Sequence, residues 1–150
     1  MRDTLKPGAV HDFVFTVPRE KTVPFLYPES PDFVAMPEVF ATGFMVGLIE
    51  WACLDALRPH LEEGEGSLGT FIETTHAAPT LPGMTVRVAA TCERVEGRQV
   101  WWRVEARDDL DLIGAGRHGR TVVRWDRFAE RLEQKRRLFA TRPASAAHLR

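Results

Sequence analysis

Three polar residues occupy positions where a small protein usually buries apolar side chains. Thr42 and Glu50 interrupt the apolar run from Val39 to Leu57, and His76 lies near the end of a threonine-rich segment. A hydroxyl, a carboxylate and an imidazole are the groups that acyl transfer needs to attack a carbonyl, activate water and move protons. Gly69 could add a backbone N–H that approaches a carbonyl oxygen and stabilises the oxyanion. These residues predict a candidate site for acyl transfer.

A structural interpretation competes with the catalytic one. On an α-helix Glu50 lies about 80° around the axis from Thr42 and roughly 12 Å along it, so the two side chains cannot hydrogen-bond directly. From the helix alone, the favoured interpretation is a satisfied buried glutamate and a threonine bonded back to its own helix. His76 by itself is also more typical of a satisfied or rim residue than of a catalyst. Only the combination of all three keeps the catalytic hypothesis open.

Hydrophobic periodicity predicts the elements that position these residues. The order is one strand, a proline-rich segment, one long buried helix, a run of antiparallel strands and a short basic helix capped by Asp126. This order is typical of an α+β fold. The predicted ranges are 10–17, 67–78, 84–95, 99–107 and 112–125 for strands, about 38–61 for the central helix and 127–138 for the last helix.

The packing of these elements predicts a homodimer. An antiparallel sheet with one apolar face needs a cover, and only the helix at 38–61 is long and apolar enough, so the sheet should wrap around it. That helix is apolar on nearly every side, and Trp101 lies on a polar strand face, which favours a second copy as the remaining cover. The length of 150 residues predicts one domain over 1–150, with a flexible tail from about residue 140.

The segment from Thr22 to Pro37 combines prolines with large apolar side chains. Prolines argue against regular structure, while the apolar groups require a surface or a ligand to cover them. The composition leaves two interpretations open, a loop that packs on the core and a lid over a pocket.

Composition excludes several function classes. A formal net charge of -1 gives no electrostatic footprint for nucleic acid or an anionic membrane. Cys53 and Cys92 lie in apolar settings, which is typical of reduced core cysteines in a cytoplasmic protein. No metal-type spacing of Cys and His occurs, so no metal is expected, and the glycine-rich stretch IGAG is not a dinucleotide motif. The apolar run before Glu50 is too short to span a bilayer.

Four long motifs carry a family resemblance: KTVPFLYPESPDF, PEVFATGFMVGLIEWAC, EGEGSLGT and the pair Thr75-His76. They closely resemble the fluoroacetyl-CoA thioesterase family, whose members have the hotdog fold, an antiparallel sheet wrapped around one central helix. The resemblance implies that Thr42, Glu50 and His76 are catalytic and that the N–H of Gly69 faces the thioester carbonyl. It matches Arg120 to an arginine that holds the site or the CoA.

The resemblance also implies a lid of apolar side chains over the acyl group. Val23, Leu26 and Phe33 match this lid, whereas Met36 replaces a second lid phenylalanine. Met is unbranched and flexible, so the change bears on selectivity for the fluorinated acyl group and leaves thioester hydrolysis intact.

The implied activity is hydrolysis of a short acyl-CoA, fluoroacetyl-CoA by the resemblance, to the free acid and CoA, as in fluoroacetate detoxification. No separate cofactor is implied, since CoA is part of the substrate, and the expected partners are this acyl-CoA and a second copy of the chain. Glu50 could act as nucleophile or as base for water. The alternatives are a hotdog thioesterase for another small acyl-CoA without fluorine selectivity and a non-catalytic acyl-CoA-binding dimer.

Overall fold

The computed structural model describes residues 1–142 and contains one five-stranded antiparallel sheet. The strand order is β1-β3-β4-β5-β2, and the central helix α2 packs on all five strands. The α+β hotdog architecture expected from the sequence is therefore confirmed. The elements are β1 Val10–Thr16, α1 Pro31–Val34, α2 Thr42–Leu57, β2 Glu65–Thr74, β3 Thr85–Glu96, β4 Gln99–Arg107, β5 Leu112–Arg124 and α3 Trp125–Ala140.

Alternation along the central strands builds the core. The side chains on the helix-facing side of β3 and β4 are all buried, because every second residue of a strand faces the same side. Against them α2 buries seven side chains. The inner-face residues are Val86, Val88, Ala90 and Cys92 on β3, and Val100, Trp102, Val104 and Ala106 on β4.

The central helix is shorter than the predicted range of 38–61. It begins at Thr42, because Phe40 and Ala41 are extended and use their backbone groups elsewhere: the Phe40 N–H donates to the Thr80 carbonyl at 2.8 Å, and the Ala41 N–H to the Lys21 carbonyl at 3.1 Å. After Leu57 the chain continues as one 3₁₀ turn, Arg58–His60. The residues before Thr42 therefore fix the entry of α2 instead of belonging to it.

Other boundaries also differ from the sequence prediction. β2 ends at Thr74, so His76 lies beyond the strand instead of within it. The last helix begins at Trp125, and Asp126 lies inside its first turn, where its carboxylate accepts from the Arg127 N–H at 2.8 Å. The flexible tail expected from about residue 140 falls mostly on 143–150, which lie outside the described residues. No helix within residues 1–142 has the length and apolar character needed to cross a membrane.

Candidate active site

The first part of the candidate site is a hydrogen-bonded pair at the start of α2. Thr42 is the first residue of this helix, and its hydroxyl Oγ1 lies 2.7 Å from Nδ1 of His76. His76 reaches this position because residues 75–77 continue along β5, with the Thr75 N–H bonded to the Ala115 carbonyl at 3.0 Å. Thr42 thus bonds to an imidazole, and the interpretation that it bonds back to its own helix is wrong.

His76 is held neutral by its surroundings. Burial lowers the pKa of His76 below its ordinary value of 6.5, because a charged imidazolium loses hydration there. With the proton on Nε2, the neutral ring leaves Nδ1 free to accept the Thr42 hydroxyl proton. This arrangement lets the imidazole act as a proton acceptor toward Thr42.

The second part of the candidate site is the contact between Glu50 and Gly69. Oε1 of Glu50 lies only 2.8 Å from the position that a Cβ on residue 69 would occupy, so any side chain there would collide with the carboxylate. Glu50 is half-buried on α2, and no hydrogen bond or ion pair within residues 1–142 fixes its carboxylate. The carboxylate therefore lies against bare backbone and stays available for chemistry.

A buried arginine network lies beside this contact. Arg120 is 2% exposed and donates from Nε to Ser67 Oγ at 2.9 Å, from Nη2 to the Ser67 carbonyl at 2.9 Å and from Nη1 to Nε2 of His118 at 3.1 Å. Burial lowers the pKa of Arg120, and the nearby Glu50 carboxylate opposes this shift. The Glu50 carboxylate therefore offsets part of the cost of burying this cation.

His118 takes part in the network as a neutral acceptor. Its Nδ1 lies 2.7 Å from the Phe71 carbonyl, which can only accept, so the proton is on Nδ1 and Nε2 accepts from Arg120. Its Cε1 lies 3.2 Å from the Cβ position of Gly69. The bond to Phe71 also holds the bulge of β2 at Thr70, where the register with β5 shifts between Gly69 and Phe71. His118 thereby supports the backbone on which Gly69 lies.

Sequence reasoning did not single out Ser67 or His118 as site residues. His118 shares strand parity with Arg120 and with the buried Val122, and this inward-facing parity was the signal that could have found it. Ser67 carried no comparable signal, because its partner is decided by the β2–β5 register.

The two parts of the site do not meet within one copy of the chain. Thr42 and Glu50 are eight positions apart on α2, which corresponds to roughly 12 Å along the axis. The structure brings Thr42 together with His76, and Glu50 together with Gly69 and Arg120. A reaction that needs both parts requires a further element between them.

Cys53, three residues after Glu50, is excluded as the nucleophile. Burial raises the pKa of its thiol to about 12, with the Glu50 carboxylate adding to the shift, so the reactive thiolate is absent at neutral pH.

Within residues 1–142 no group of three His, Cys, Asp or Glu side chains could hold a metal ion.

The apolar segment before α2 folds over the first turn of the helix. Val23, Leu26 and Phe33 are half-buried, and a Leu26 methyl carbon lies 3.1 Å from the Cβ position of Gly43, the neighbour of Thr42. Met36, by contrast, is 51% exposed. The segment has short helical turns at 19–21, 23–25 and 31–34, where the prolines had argued against regular structure.

Comparison with known proteins identifies the family of the chain. Residues 19–126 match the family described as fluoroacetyl-CoA-specific thioesterase. The fluoroacetyl-CoA thioesterase of Streptantibioticus cattleyicolor is 56% identical over 137 residues, which cover 90% of this chain and 97% of the relative.

Solved structures of thioesterases also match the chain. A solved structure of the fluoroacetyl-CoA thioesterase FlK matches with a TM-score of 0.87 and 54% identity, over 89% of this chain and 98% of that one. A variant of FlK in complex with fluoroacetate and CoA matches with a TM-score of 0.81 and 56% identity, over 83% and 99%. A thioesterase superfamily member from Thermus thermophilus is 33% identical, with a TM-score of 0.83, over 93% and 99%. The chain, with its paired Thr42 and His76 and its Glu50 against Gly69, belongs to the fluoroacetyl-CoA-specific thioesterase family.

Proposed function

We propose that this protein is a thioester hydrolase that converts fluoroacetyl-CoA to fluoroacetate and CoA. The observation that carries the proposal is the contact of Glu50 with Gly69, because the carboxylate lies against a residue without a side chain, whose backbone N–H we assign as the oxyanion donor. A thioester carbonyl that accepts this N–H lies within reach of the carboxylate or of a water molecule that the carboxylate activates. Membership in the family and the names of its relatives support the choice of substrate.

The roles of the site residues follow from their contacts. Glu50 acts on the carbonyl carbon as nucleophile or as base for water, and the Gly69 N–H stabilises the oxyanion. Thr42 orients the thioester, while His76, bonded to it at 2.7 Å, moves the proton that the leaving sulfur requires. The carbonyl carbon gains a bond to the attacking oxygen while its bond to sulfur breaks, and the electron pair leaves with the CoA thiolate. When water attacks, Glu50 takes up its proton, and the thiolate is protonated through Thr42 and His76 from solvent. When Glu50 itself attacks, a water molecule then hydrolyses the acyl-glutamyl anhydride, which releases the acid and restores the carboxylate. Arg120 keeps the Glu50 side of the site in place through Ser67.

We further propose that the working form is a homodimer in which Thr42 and His76 of one copy face Glu50 of the other. β2 is an edge strand, and it exposes Phe71 and Ile72 by 40% and 39%, so its backbone can pair with a second copy. Trp101, for which the sequence predicted a partner copy as cover, instead packs on Phe71 within the same chain, with ring centroids 5.3 Å apart and the rings tilted by 59°. The edge strand is therefore the stronger argument for the dimer.

Met36 favours a second candidate function, hydrolysis of other small acyl-CoA thioesters without selectivity for fluorine. Its side chain is half exposed, and Tyr27 stacks on Phe33 at 5.9 Å without covering position 36. A lid that closes less tightly discriminates less between small acyl groups.

The free, buried cysteines 53 and 92 support a cytoplasmic location as part of the proposal.

A thiol-release assay tests the proposal. Wild-type protein is given fluoroacetyl-CoA or acetyl-CoA, and free CoA thiol is measured against Glu50→Gln and His76→Ala as controls. We expect thiol release that both substitutions abolish and a higher kcat/KM for fluoroacetyl-CoA. A kcat/KM ratio near one would favour the unselective thioesterase, and no release from any short acyl-CoA would leave only the acyl-CoA-binding dimer.

A further inference from the structure

Two polar side chains of β5 lie in the interior of the sheet, where apolar residues are the rule. His118 is 0% exposed and Arg120 is 2% exposed, while Val122, which shares their strand parity, is apolar and buried. Burying a guanidinium and an imidazole costs free energy, and apolar side chains of similar size would fill the same space without that cost. Packing alone therefore does not account for His118 and Arg120.

The two side chains hold β2 on both sides of Gly69. Arg120 donates to the side chain and to the carbonyl of Ser67, at 2.9 Å in each case. His118 donates from Nδ1 to the carbonyl of Phe71 at 2.7 Å, and its Nε2 accepts from Arg120 Nη1 at 3.1 Å. Ser67 is two residues before Gly69, and Phe71 is two residues after it. The connected pair of side chains therefore spans the position of Gly69.

The backbone of β2 needs this support because its pairing with β5 is irregular here. The register shifts between Gly69 and Phe71, so Thr70 has no paired residue and forms a bulge. The Thr70 hydroxyl compensates weakly, with long contacts of 3.4 Å to the Gly119 carbonyl and 3.3 Å to Thr121 Oγ1. A glycine beside a bulge has more backbone freedom than any other residue. The direction of the Gly69 N–H therefore depends on bonds from side chains.

The ring of His118 also packs against Gly69 itself. Its Cε1 lies 3.2 Å from the position of a Cβ on residue 69, and Glu50 Oε1 lies 2.8 Å from the same position. The imidazole and the carboxylate are thus both close to one side of Gly69. An oxyanion donor works when it is held within about 0.5 Å of its productive position. A residue that fixes Gly69 beside Glu50 therefore acts on the geometry that the reaction needs.

We infer that His118 is a positioning residue for thioester hydrolysis, an inference that rests on the proposed function. It acts through the backbone of β2 and holds the N–H of Gly69 where the oxyanion forms. A neutral imidazole suits this role because it has one donor and one acceptor on a rigid ring. The donor holds the Phe71 carbonyl and the acceptor holds Arg120, so both ends of the support meet in one side chain.

Three substitutions separate the two bonds of the imidazole. The amide of Asn lies where Nδ1 lies and can donate to the Phe71 carbonyl, while the amide of Gln reaches the position of Nε2 and can accept from Arg120. A Leu of similar size makes neither bond. The variants to compare with wild type are therefore His118→Asn, His118→Gln and His118→Leu.

Steady-state kinetics on fluoroacetyl-CoA gives the first readout. In His118→Leu we expect kcat to fall about tenfold or more while KM changes less than about twofold, because the oxyanion forms only after the substrate has bound. His118→Asn should recover kcat to within about threefold of wild type, since the bond to Phe71 holds the bulge. His118→Gln should recover less, since Arg120 is already held by Ser67.

Two controls separate positioning from a loss of stability. The first is Val86→Ala, because Val86 is fully buried on β3, which β4 and β5 separate from β2. It should lower the Tm but leave kcat within about twofold of wild type. The second is inhibition by a CoA thioether that carries a trifluoromethyl ketone, whose carbonyl adds an oxygen nucleophile and keeps the resulting oxyanion. In His118→Leu its affinity should fall by the same factor as kcat, while the affinity for CoA stays unchanged.

The possible outcomes distinguish this inference from the proposed function. A kcat of His118→Leu within twofold of wild type, or an equal loss of affinity for the ketone and for CoA, would overturn the positioning role. If His118→Leu does not fold, the two amides decide, and equal kcat values for His118→Asn and His118→Gln would overturn it. A wild-type protein that releases no thiol would overturn the proposed function instead.

Discussion

Mixing two inactive variants tests whether the active site is shared between copies. Thr42 and Glu50 are about 12 Å apart along α2, several times the length of a hydrogen bond, so one copy cannot bring both to one thioester. Thr42→Ala and Glu50→Gln should each lose at least about 100-fold in kcat as pure dimers. In a mixed dimer, the intact Thr42 of one chain faces the intact Glu50 of the other.

The size of the recovery follows from counting sites. If equal amounts of the two variants are unfolded together and refolded, about half of the dimers are mixed, and each of these has one complete site of two. The mixture should therefore regain about a quarter of wild-type activity per chain, far above either variant alone. Thiol release measures the activity, and native mass spectrometry with an isotopically labelled variant confirms that mixed dimers form.

The matched control uses two residues that lie on the same side of the proposed interface. Thr42 and His76 are bonded at 2.7 Å within one copy, so a mixture of Thr42→Ala and His76→Ala has a defect in every site and should stay inactive. Mixed dimers of Thr42→Ala and Glu50→Gln without recovered activity would refute the shared site. Recovery in the Thr42→Ala and His76→Ala mixture would refute it equally.

Three further predictions follow from single residues. Gly69→Ala places a Cβ 2.8 Å from Glu50 Oε1, so the carboxylate is displaced and kcat should fall roughly 100-fold. The Tm should change little, because the flexible end of Glu50 can move aside. A kcat within twofold of wild type would count against the contact between Glu50 and Gly69. Met36→Phe should raise the ratio of kcat/KM on fluoroacetyl-CoA to that on acetyl-CoA, and an unchanged ratio would mean that position 36 does not gate selectivity. Burial lowers the pKa of His76 and His118 below 6.5, so the unfolded chain takes up protons first and Tm should fall as the pH drops below about 6.5. In His118→Gln the fall of Tm at low pH should be smaller. A profile of Tm against pH identical to that of wild type would contradict a lowered pKa for His118.

The strands were predictable because their pattern is local. β4 was predicted with its observed bounds, Gln99–Arg107, and every alternate residue from Val100 to Ala106 is buried. The start of α2 was not predictable, because Val39 and Phe40 continue the apolar run without a break in the sequence. The helix does not start earlier because the Phe40 N–H donates to the carbonyl of Thr80, which is forty residues further along the chain. Long-range backbone partners of this kind leave no mark on local periodicity.

The candidate site was predictable in its residue types but not in its grouping. The family motifs named Thr42, Glu50 and His76 together, while the helix spacing already indicated that Thr42 and Glu50 could not meet in one copy. The division into two parts became visible only with the sheet register, which places Arg120 opposite Gly69 and so beside Glu50. Register depends on bulges, and the shift at Thr70 has no signature that sequence reasoning could use.

The contact between Gly69 and Glu50 also limits the routes by which this protein can evolve. A side chain at position 69 pushes the Glu50 carboxylate out of its place in the site, and a shorter side chain at position 50 withdraws the carboxylate altogether. Either change costs hydrolysis and neither repairs the other, so both positions are held fixed for as long as this activity is needed. A library that randomises position 69 by itself should yield few active clones. Changes in substrate preference would have to arise elsewhere, for example in the lid.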